Sequence, residues 1–291
     1  MSKLIFGCGY LGERVARRWQ EACADVHVVT RSEKRAGELR SRGYSAIVAN
    51  VAQPGTLQDL PAVDTVLFAV GYDRSSSVSI GEVYAGGVRN VLAALPASVA
   101  RFIYISTTGV YGTAEGDWVD EATPTNPQRE GGKASLAAEE VIAAHPLADS
   151  AIILRLAGIY GPGRIPYLDR LRAGQPIAAP DRGWLNLIHV DDAASVVLTA
   201  EAWTTGELVG GGPHVFCVCD GAPVIRGDFY REVARLLGTS APVFEEPDPT
   251  SPAALRAAAN KRICNQRIMQ MLDTKLSYPT YREGLASILS Q

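Results

Sequence analysis

The sequence predicts an α/β protein with a doubly wound parallel sheet of the Rossmann type and a smaller C-terminal substrate lobe. Two observations predict it. Short apolar runs alternate with amphipathic stretches through the first half, and a glycine-rich turn directly follows the first apolar run. The 291 residues, 47% hydrophobic and 20% charged, are sufficient for a core of this size.

Six apolar runs are predicted to be strands. They are short, almost continuously hydrophobic and bounded by turn residues, as parallel strands buried on both faces are. In chain order they cover residues 4–6, 26–30, 46–49, 65–70, 102–106 and 152–155. Helical periodicity places helices between them, at residues 11–22, 33–42, 83–95 and 134–144. This alternation indicates right-handed βαβ units.

The pattern changes after residue 159, where glycine and proline pairs interrupt it. A further strand is predicted at 185–190, followed by a helix that Asp191 or Asp192 caps. The last predicted helices cover residues 229–237, 263–272 and 281–289.

This change of texture predicts two units. Residues 1–158 are expected to form a dinucleotide-binding Rossmann domain, and residues 159–291 mainly a C-terminal substrate-binding lobe. The segment 185–204 is expected to return to the first domain. The lobe should cover the carboxyl edge of the sheet, which is where open α/β sheets bind their ligands.

Charge and cysteine usage argue against several classes of function. A net charge of −3 disfavours nucleic acid or an anionic membrane as a partner. The five cysteines lack the spacing of a zinc site, so no metal is expected, and Cys217 and Cys219 are interpreted as buried apolar residues of a strand. Free thiols, with no signal-peptide core or membrane-length apolar run, predict a cytoplasmic protein.

The glycine-rich turn predicts the cofactor site. Gly7, Gly9 and Gly12 form a G-x-G-x-x-G motif that follows the first strand and opens the first helix. Gly7 permits the tight turn, Gly9 lets the backbone approach a pyrophosphate, and Gly12 lets the helix pack close to the strand. Tyr10 and Leu11 within the motif share this role, because the helix N-terminus presents unpaired N–H groups to the phosphates.

The end of the second strand indicates which dinucleotide binds. An enzyme that uses NAD usually has an acidic residue there, whereas this chain has Arg31 and Ser32, with Arg35 close behind. A guanidinium can bind the 2′-phosphate of NADP in a bidentate manner, which a carboxylate would repel. The alternative is that these are solvated charges at a helix start, in which case NAD remains an option. We expect NADP(H).

Several motifs together resemble the extended and atypical short-chain dehydrogenase/reductases, the group that contains nucleotide-sugar epimerases and dehydratases. The glycine motif is the first of them. The others are STTGVYG at 106–112, RLAGIYGPG at 155–163 and IHVDD at 188–192. The segments at 260–262 and 278–285 are similar to one atypical subgroup of epimerase-like proteins.

The resemblance implies a catalytic hydroxyl at the end of the fifth strand and a Tyr-x-x-x-Lys pair on the next helix. Thr107, with Ser106 beside it, matches the hydroxyl. The alignment puts Gly131 in the place of the tyrosine and Ser135 in the place of the lysine. The pair is therefore expected to be missing.

Other titratable groups are candidates to replace the missing pair: Tyr111, Glu130, Lys133 and Tyr160. We expect Lys133 to act as an ammonium near the ribose and Tyr111 as the phenol. Ala69, Val70 and Tyr160 are further expected to contact the cofactor.

The family commonly has asparagine where this chain has Gly158, which weakens an assignment to nucleotide sugars. His189, Asp191 and Asp192 are interpreted as residues of a strand end and a helix cap. Arg155 is interpreted as an anchor of its strand.

These observations predict an NADP(H)-dependent oxidoreductase or epimerase/dehydratase-like enzyme that acts on a small polar substrate, with a sugar derivative as one option. Hydride would pass to or from the nicotinamide, with Thr107 orienting the reacting oxygen. The alternative is a dinucleotide-binding sensor or regulatory protein that has lost catalysis, which the missing pair favours. The family commonly dimerises through a four-helix interface, so the resemblance implies a homodimer.

Overall fold

The computed structural model of the chain describes residues 1–203 and 211–290. Its strands are β1 (Ser2–Phe6), β2 (Asp25–Thr30), β3 (Ser45–Val48), β4 (Thr65–Phe68), β5 (Arg101–Thr107), β6 (Trp118–Val119), β7 (Ala151–Leu156), β8 (Gly158–Tyr160), β9 (Ile177–Ala178), β10 (Trp184–Leu185), β11 (Leu187–His189), β12 (His214–Val218), β13 (Val224–Ile225), β14 (Phe244–Glu245) and β15 (Arg262–Ile263).

The helices alternate with these strands. They are α1 (Gly12–Glu21), α2 (Glu33–Arg40), α3 (Gly87–Ala94), α4 (Glu130–Ala143), α5 (Leu168–Arg172), α6 (Val190–Ala202), α7 (Arg226–Leu237), α8 (Pro252–Ala257), α9 (Gln266–Met271) and α10 (Tyr281–Leu289). A π-helical turn, Glu82–Gly86, precedes α3 directly. Short 3₁₀ turns lie at Pro54–Thr56, Thr108–Val110 and Ala148–Ser150.

Seven parallel strands form the central sheet, in the order β3-β2-β1-β4-β5-β7-β12. The chain runs outward from β1 to β3, then returns and runs outward again from β4. This reversal between β1 and β4 is the topological switch point of a Rossmann sheet. The predicted fold class is confirmed.

Both faces of the sheet are buried, and β1 contributes side chains to the hydrophobic cluster on each face. Leu4 and Phe6 belong to one hydrophobic cluster, which α3 and α4 cover, whereas Ile5 belongs to another, which α1 and α6 cover. Successive side chains of a strand point to opposite faces, so a strand covered on both faces must be apolar at every position.

The C-terminal half differs from the prediction in how it joins the sheet. The predicted strand at 185–190 is broken at Asn186, whose side chain binds the backbone of Lys261 and Ile263. Its second half, β11, pairs with β8 rather than with the central sheet. Helix α6 packs against α1. Thr204, the end of the predicted returning segment, lies outside the described residues.

The boundaries of several helices also differ from those predicted. Helix α4 begins at Glu130, four residues before the predicted start. Gly131 and Gly132 hide this first turn in the sequence, since glycine disfavours helix. Gly132 is required by packing, because a Cβ there would lie 2.2 Å from the carbonyl oxygen of Gly109.

Three other predicted helices are also displaced. The one predicted at 83–95 is a π-helical turn followed by α3, and α7 begins at Arg226 rather than at residue 229. The one predicted at 263–272 opens as strand β15, and helix α9 begins only at Gln266.

The cap of α6 was predicted wrongly. The N-cap is His189, whose Nδ1 accepts a hydrogen bond from the backbone N–H of Asp191 at 3.2 Å. Burial lowers the pKa of His189, so its ring stays neutral and keeps an acceptor nitrogen. Asp192 instead accepts hydrogen bonds from the backbone N–H groups of Ser277 and Tyr278, and so fixes the C-terminal segment on α6.

Candidate functional site

A cleft of about 730 Å³ follows the carboxyl edge of the central sheet. The last residues of five parallel strands contribute to its lining, namely Phe6, Thr30, Thr107 and Leu156 themselves and Ala69 directly after β4. The cleft therefore crosses the switch point between β1 and β4, where open α/β sheets bind their ligands.

The three glycines of the motif have different surroundings. Gly7 has φ +93°, and a Cβ on it would lie 2.4 Å from the carbonyl oxygen of Ala69. A Cβ on Gly12 would lie 2.3 Å from the carbonyl oxygen of Gly7. At Gly9, in contrast, no described atom lies within 4 Å of the Cβ position. Gly7 and Gly12 thus serve the packing of the loop, whereas Gly9 leaves open space on the side of the cleft.

The start of α1 suits a bound phosphate. Among the described residues, no side chain caps the first turn of this helix, and its N-cap residue Leu11 lines the cleft. The first N–H groups of an uncapped helix are available to an anion, and the helix dipole favours negative charge there. Together with the open space at Gly9, this arrangement fits the pyrophosphate of a dinucleotide.

The predicted contacts with the adenosine half fall into two groups. Arg31 lines the cleft, and its Nη2 lies 3.1 Å from Oδ2 of Asp73, in the loop after β4. Ser32 is the N-cap of α2, and its hydroxyl accepts a hydrogen bond from the N–H of Arg35. The guanidinium of Arg35 lies 3.0 Å from Glu13 and 3.5 Å from the carbonyl oxygen of Cys8, which lines the cleft, although Arg35 itself does not.

The remaining predicted cofactor contacts are also divided. Tyr10, Ala69 and Val70 line the cleft. Tyr160 lies in the core of the C-terminal lobe, where its ring packs edge-on against His189 and Phe229. This position leaves Tyr160 away from the cleft.

The part of the cleft at the end of β5 contains the predicted hydroxyl groups. Ser106 and Thr107 line it at the end of β5, and the Thr107 hydroxyl accepts a hydrogen bond from the N–H of Gly109 at 3.0 Å. Gly131 and Ser135, one turn apart on α4, line the same region. The two positions that the family alignment assigns to tyrosine and lysine thus face the cleft.

Ser106 is connected to a buried ion pair. Its hydroxyl donates a hydrogen bond to Glu139 at 2.5 Å, and the guanidinium of Arg155 binds both oxygens of the same carboxylate at 2.6–3.2 Å. Arg155 also donates to the hydroxyl of Tyr111 at 2.8 Å. The side chains of Arg155 and Glu139 are only 8% and 6% exposed. The network joins β5, α4 and β7 beneath the cleft.

Replacing Arg155 should therefore destabilise the protein. In Arg155→Leu the carboxylate of Glu139 remains buried without its cation, which typically costs about 3–5 kcal/mol. The free energy of unfolding, measured by urea denaturation, should fall by that amount. Arg172→Leu is the matched control, because Arg172 and its partner Asp169 are both exposed and such pairs contribute less than about 1 kcal/mol. Equal effects of the two substitutions would contradict a structural role for Arg155.

The candidates predicted to act in place of a tyrosine–lysine pair do not line the cleft. Tyr111 is buried, its hydroxyl contacts Arg155 and lies 3.2 Å from Sγ of Cys217, and burial raises its pKa well above the ordinary value. Lys133 is more than half exposed and pairs at 3.1 Å with Glu130, which is more exposed still. The geometry therefore does not favour Tyr111 or Lys133 for proton transfer.

The phenol of Tyr84 lines the cleft and is not predicted from the sequence. Tyr84 belongs to the π-helical turn, which packs against α4, and it is half-buried. Burial raises the pKa of Tyr84, and a hydrogen bond with the backbone of Tyr72 partly offsets this. No helical period assigns a face to a residue in a π-turn, so the sequence carried no signal for it.

Two arginines, Arg129 and Arg164, also line the cleft, and of these Arg129 is not predicted from the sequence. A Cβ on Gly109 would lie 3.2 Å from Nη2 of Arg129 and 3.2 Å from Oγ1 of Thr107, so this guanidinium is a neighbour of the candidate hydroxyl. Arg164 lies with its guanidinium 5.2 Å from the centre of the Tyr10 ring. The signal for Arg129 was its position two residues before Gly131.

These features define a dinucleotide-binding protein of the Rossmann class. The sequence model of the NAD-dependent epimerase/dehydratase family matches residues 4–208. The chain therefore belongs to the NAD-dependent epimerase/dehydratase family, which confirms its resemblance to the extended short-chain dehydrogenase/reductases.

The chain is also similar in sequence and structure to individual known proteins. Protein YeeZ of Escherichia coli K12 is 33% identical over 201 residues, which span 68% of this chain and 66% of YeeZ. A solved structure from Silicibacter pomeroyi, described as a conserved protein of unknown function, is 28% identical with a TM-score of 0.76 and covers 99% of this chain and 98% of that one.

The human epimerase family protein SDR39U1, solved with NADPH, has a TM-score of 0.80 at 16% identity and 100% coverage of both chains, a likeness of fold. In the described ranges of the present chain, no helix has the length and apolar character needed to cross a membrane.

Proposed function

We propose that this protein is an NADP(H)-dependent oxidoreductase or epimerase-like enzyme that acts on a small polar substrate in the cleft at the carboxyl edge of its sheet. The observation that carries the proposal is the open space at Gly9 between two tightly packed glycines. Such a loop, at the start of an uncapped helix, suits a pyrophosphate. The residues that would hold the dinucleotide are Gly7, Gly9, Tyr10, Leu11, Gly12, Arg31, Ala69 and Val70.

The dinucleotide, when bound, supplies hydride-transfer chemistry at its nicotinamide ring. Among the described residues that line the cleft, Thr107, Tyr84 and Arg129 are the groups that we propose act on the substrate. The Thr107 hydroxyl orients the substrate oxygen. The guanidinium of Arg129, a permanent cation beside it, stabilises negative charge that develops on that oxygen.

Tyr84 is the proposed proton donor. An ordinary tyrosine has a pKa of about 10, and acting as a base near neutrality would need a depression of roughly 3 units, or about 4 kcal/mol. Burial instead raises the pKa of Tyr84, so the phenol keeps its proton. A protonated phenol suits donation to an alkoxide, so we assign Tyr84 the role of general acid in the reduction of a carbonyl group.

The alternative function is a dinucleotide sensor without catalysis. It is favoured by Gly131 and Ser135, which line the cleft at the positions that the family alignment assigns to the tyrosine and lysine. Tight binding of NADPH without turnover of any substrate is the behaviour expected of a sensor.

The cofactor preference tests the proposal. NADPH should bind at least tenfold more tightly than NADH, a difference of about 1.4 kcal/mol, because Arg31 lines the cleft at the end of β2. Arg31→Ala should remove most of this preference and leave NADH binding almost unchanged. Calorimetric titration of both dinucleotides measures it, with Lys34→Ala as a control that removes a neighbouring positive charge. Equal affinities of the wild type for the two dinucleotides would contradict the assignment of NADP(H).

A further inference from the structure

The end of the cleft near Arg31, where the adenosine is proposed to bind, contains a carboxylate from outside β2. Asp73 lies in the loop after β4 and lines the cleft opposite Arg31, 42 residues away in sequence. Its Oδ2 accepts a hydrogen bond from Nη2 of Arg31 at 3.1 Å. The loop after β4 thus brings an acidic group to this end of the cleft.

The position of the Asp73 carboxylate is fixed by its own loop. Its Oδ1 accepts hydrogen bonds from the backbone N–H of Ser75 at 3.0 Å and from the Ser75 hydroxyl at 2.7 Å. These bonds, followed by the contact with Arg31, hold the pKa of Asp73 below its ordinary value. With Oδ1 occupied by Ser75, Oδ2 is the oxygen directed at the guanidinium.

A carboxylate at this place competes with a phosphate. The guanidinium of Arg31 binds an oxyanion through paired N–H donors, and a carboxylate and a phosphate use the same donors. The side chains of Arg31 and Asp73 are 56% and 41% exposed, so solvent screens the pair and a ligand can displace it. The hydroxyl groups of an unphosphorylated ribose can instead donate hydrogen bonds to a carboxylate.

We propose that Asp73 is a specificity-determining residue, which holds Arg31 in the cofactor-free protein and so reduces the preference of the cleft for a 2′-phosphorylated dinucleotide. The inference rests on the proposed function, since it assumes that the dinucleotide binds here. The protein then has a moderate preference for NADPH, because the 2′-phosphate must displace the Asp73 carboxylate from Arg31. Removal of the Asp73 charge should strengthen that preference.

The test is a titration of NADPH and NADH into the wild type, Asp73→Asn, Arg31→Ala and the double variant Arg31→Ala/Asp73→Asn. Binding is monitored by the fluorescence of the reduced nicotinamide. Asp73→Asn should lower the Kd of NADPH about three- to tenfold and leave the Kd of NADH unchanged or slightly raised. In the Arg31→Ala background the same substitution should have less than half of this effect on a logarithmic scale, because the competed group is gone.

Glu82→Gln is the matched control. Glu82 is exposed, accepts hydrogen bonds from the N–H and hydroxyl of a nearby serine, Ser79, as Asp73 does from Ser75, and lies outside the lining of the cleft. It should leave both Kd values unchanged. Thermal denaturation of each variant establishes that the fold is intact.

The outcomes separate the inference from the function on which it rests. If the wild type binds neither dinucleotide, the proposed function is overturned and the inference with it. If both bind and Asp73→Asn leaves the ratio of the two Kd values unchanged, the inference alone is overturned. An effect of equal size in the Arg31→Ala background would also overturn it, because Asp73 would then act by direct repulsion rather than by holding Arg31.

Discussion

Gly9→Val should abolish dinucleotide binding while the protein remains folded. No described atom lies within 4 Å of the Cβ position of Gly9, and its φ is outside the left-handed region, so the backbone can accept a side chain. The valine methyl groups would instead occupy the space proposed for the pyrophosphate. We expect the Kd of NADPH to rise at least about 100-fold, or about 2.7 kcal/mol, in a calorimetric titration.

Two further glycines distinguish lost binding from lost structure. Gly55→Val is the matched control, because Gly55 also has open space around its Cβ position and lies outside the lining of the cleft. It should bind NADPH normally. Gly12→Val should lower the melting temperature, since its Cβ would lie 2.3 Å from a carbonyl oxygen. Normal NADPH binding by Gly9→Val would show that the phosphates bind elsewhere.

Tyr84→Phe should reduce turnover by about 10²–10⁴-fold, the usual contribution of a general acid. The substitution removes only the hydroxyl of the phenol that lines the cleft, so the Kd of NADPH should change little. Thr107→Ala should lower turnover as well, because the substrate oxygen loses its orienting hydroxyl. The assay is NADPH oxidation with a panel of small carbonyl and sugar substrates.

Tyr111→Phe and Lys133→Met are the controls for this assay. Tyr111 lies in the buried network and Lys133 pairs with Glu130 on the surface, so neither should lower the rate of the chemical step. A substrate that is turned over equally well by the wild type and Tyr84→Phe would eliminate Tyr84 as the proton donor. Tight NADPH binding without any turnover would favour the sensor.

The sequence was most informative where function depends on backbone. The glycine motif predicted the loop after β1 because the space around each glycine follows from the fold itself, and the apolar runs predicted the first strands because burial on both faces leaves no polar position. Thr107 and Ser106 could be located since they end a strand, and parallel strands end at one edge of the sheet.

The sequence was least informative where the site depends on contacts between distant segments. Asp73 reaches Arg31 from another strand, and nothing near Arg31 in sequence indicates that partner. Tyr84 lies on a π-turn, which removes the periodicity that would assign it to a face. Lys133 is predicted for its nearness in sequence to Gly131 and Ser135, and Tyr111 for its place on the loop after β5. Ion pairing holds Lys133 at the surface, and Tyr111 is buried outside the cleft.

The position of β12 makes the two lobes inseparable parts of one folding unit. The chain leaves the central sheet after β7, builds much of the C-terminal lobe and then adds His214–Val218 to the sheet beside β7. The region that the family model matches ends at residue 208, before this strand. The lobe therefore cannot be exchanged as a module between relatives at a single junction, since any such exchange would also replace an edge strand of the sheet.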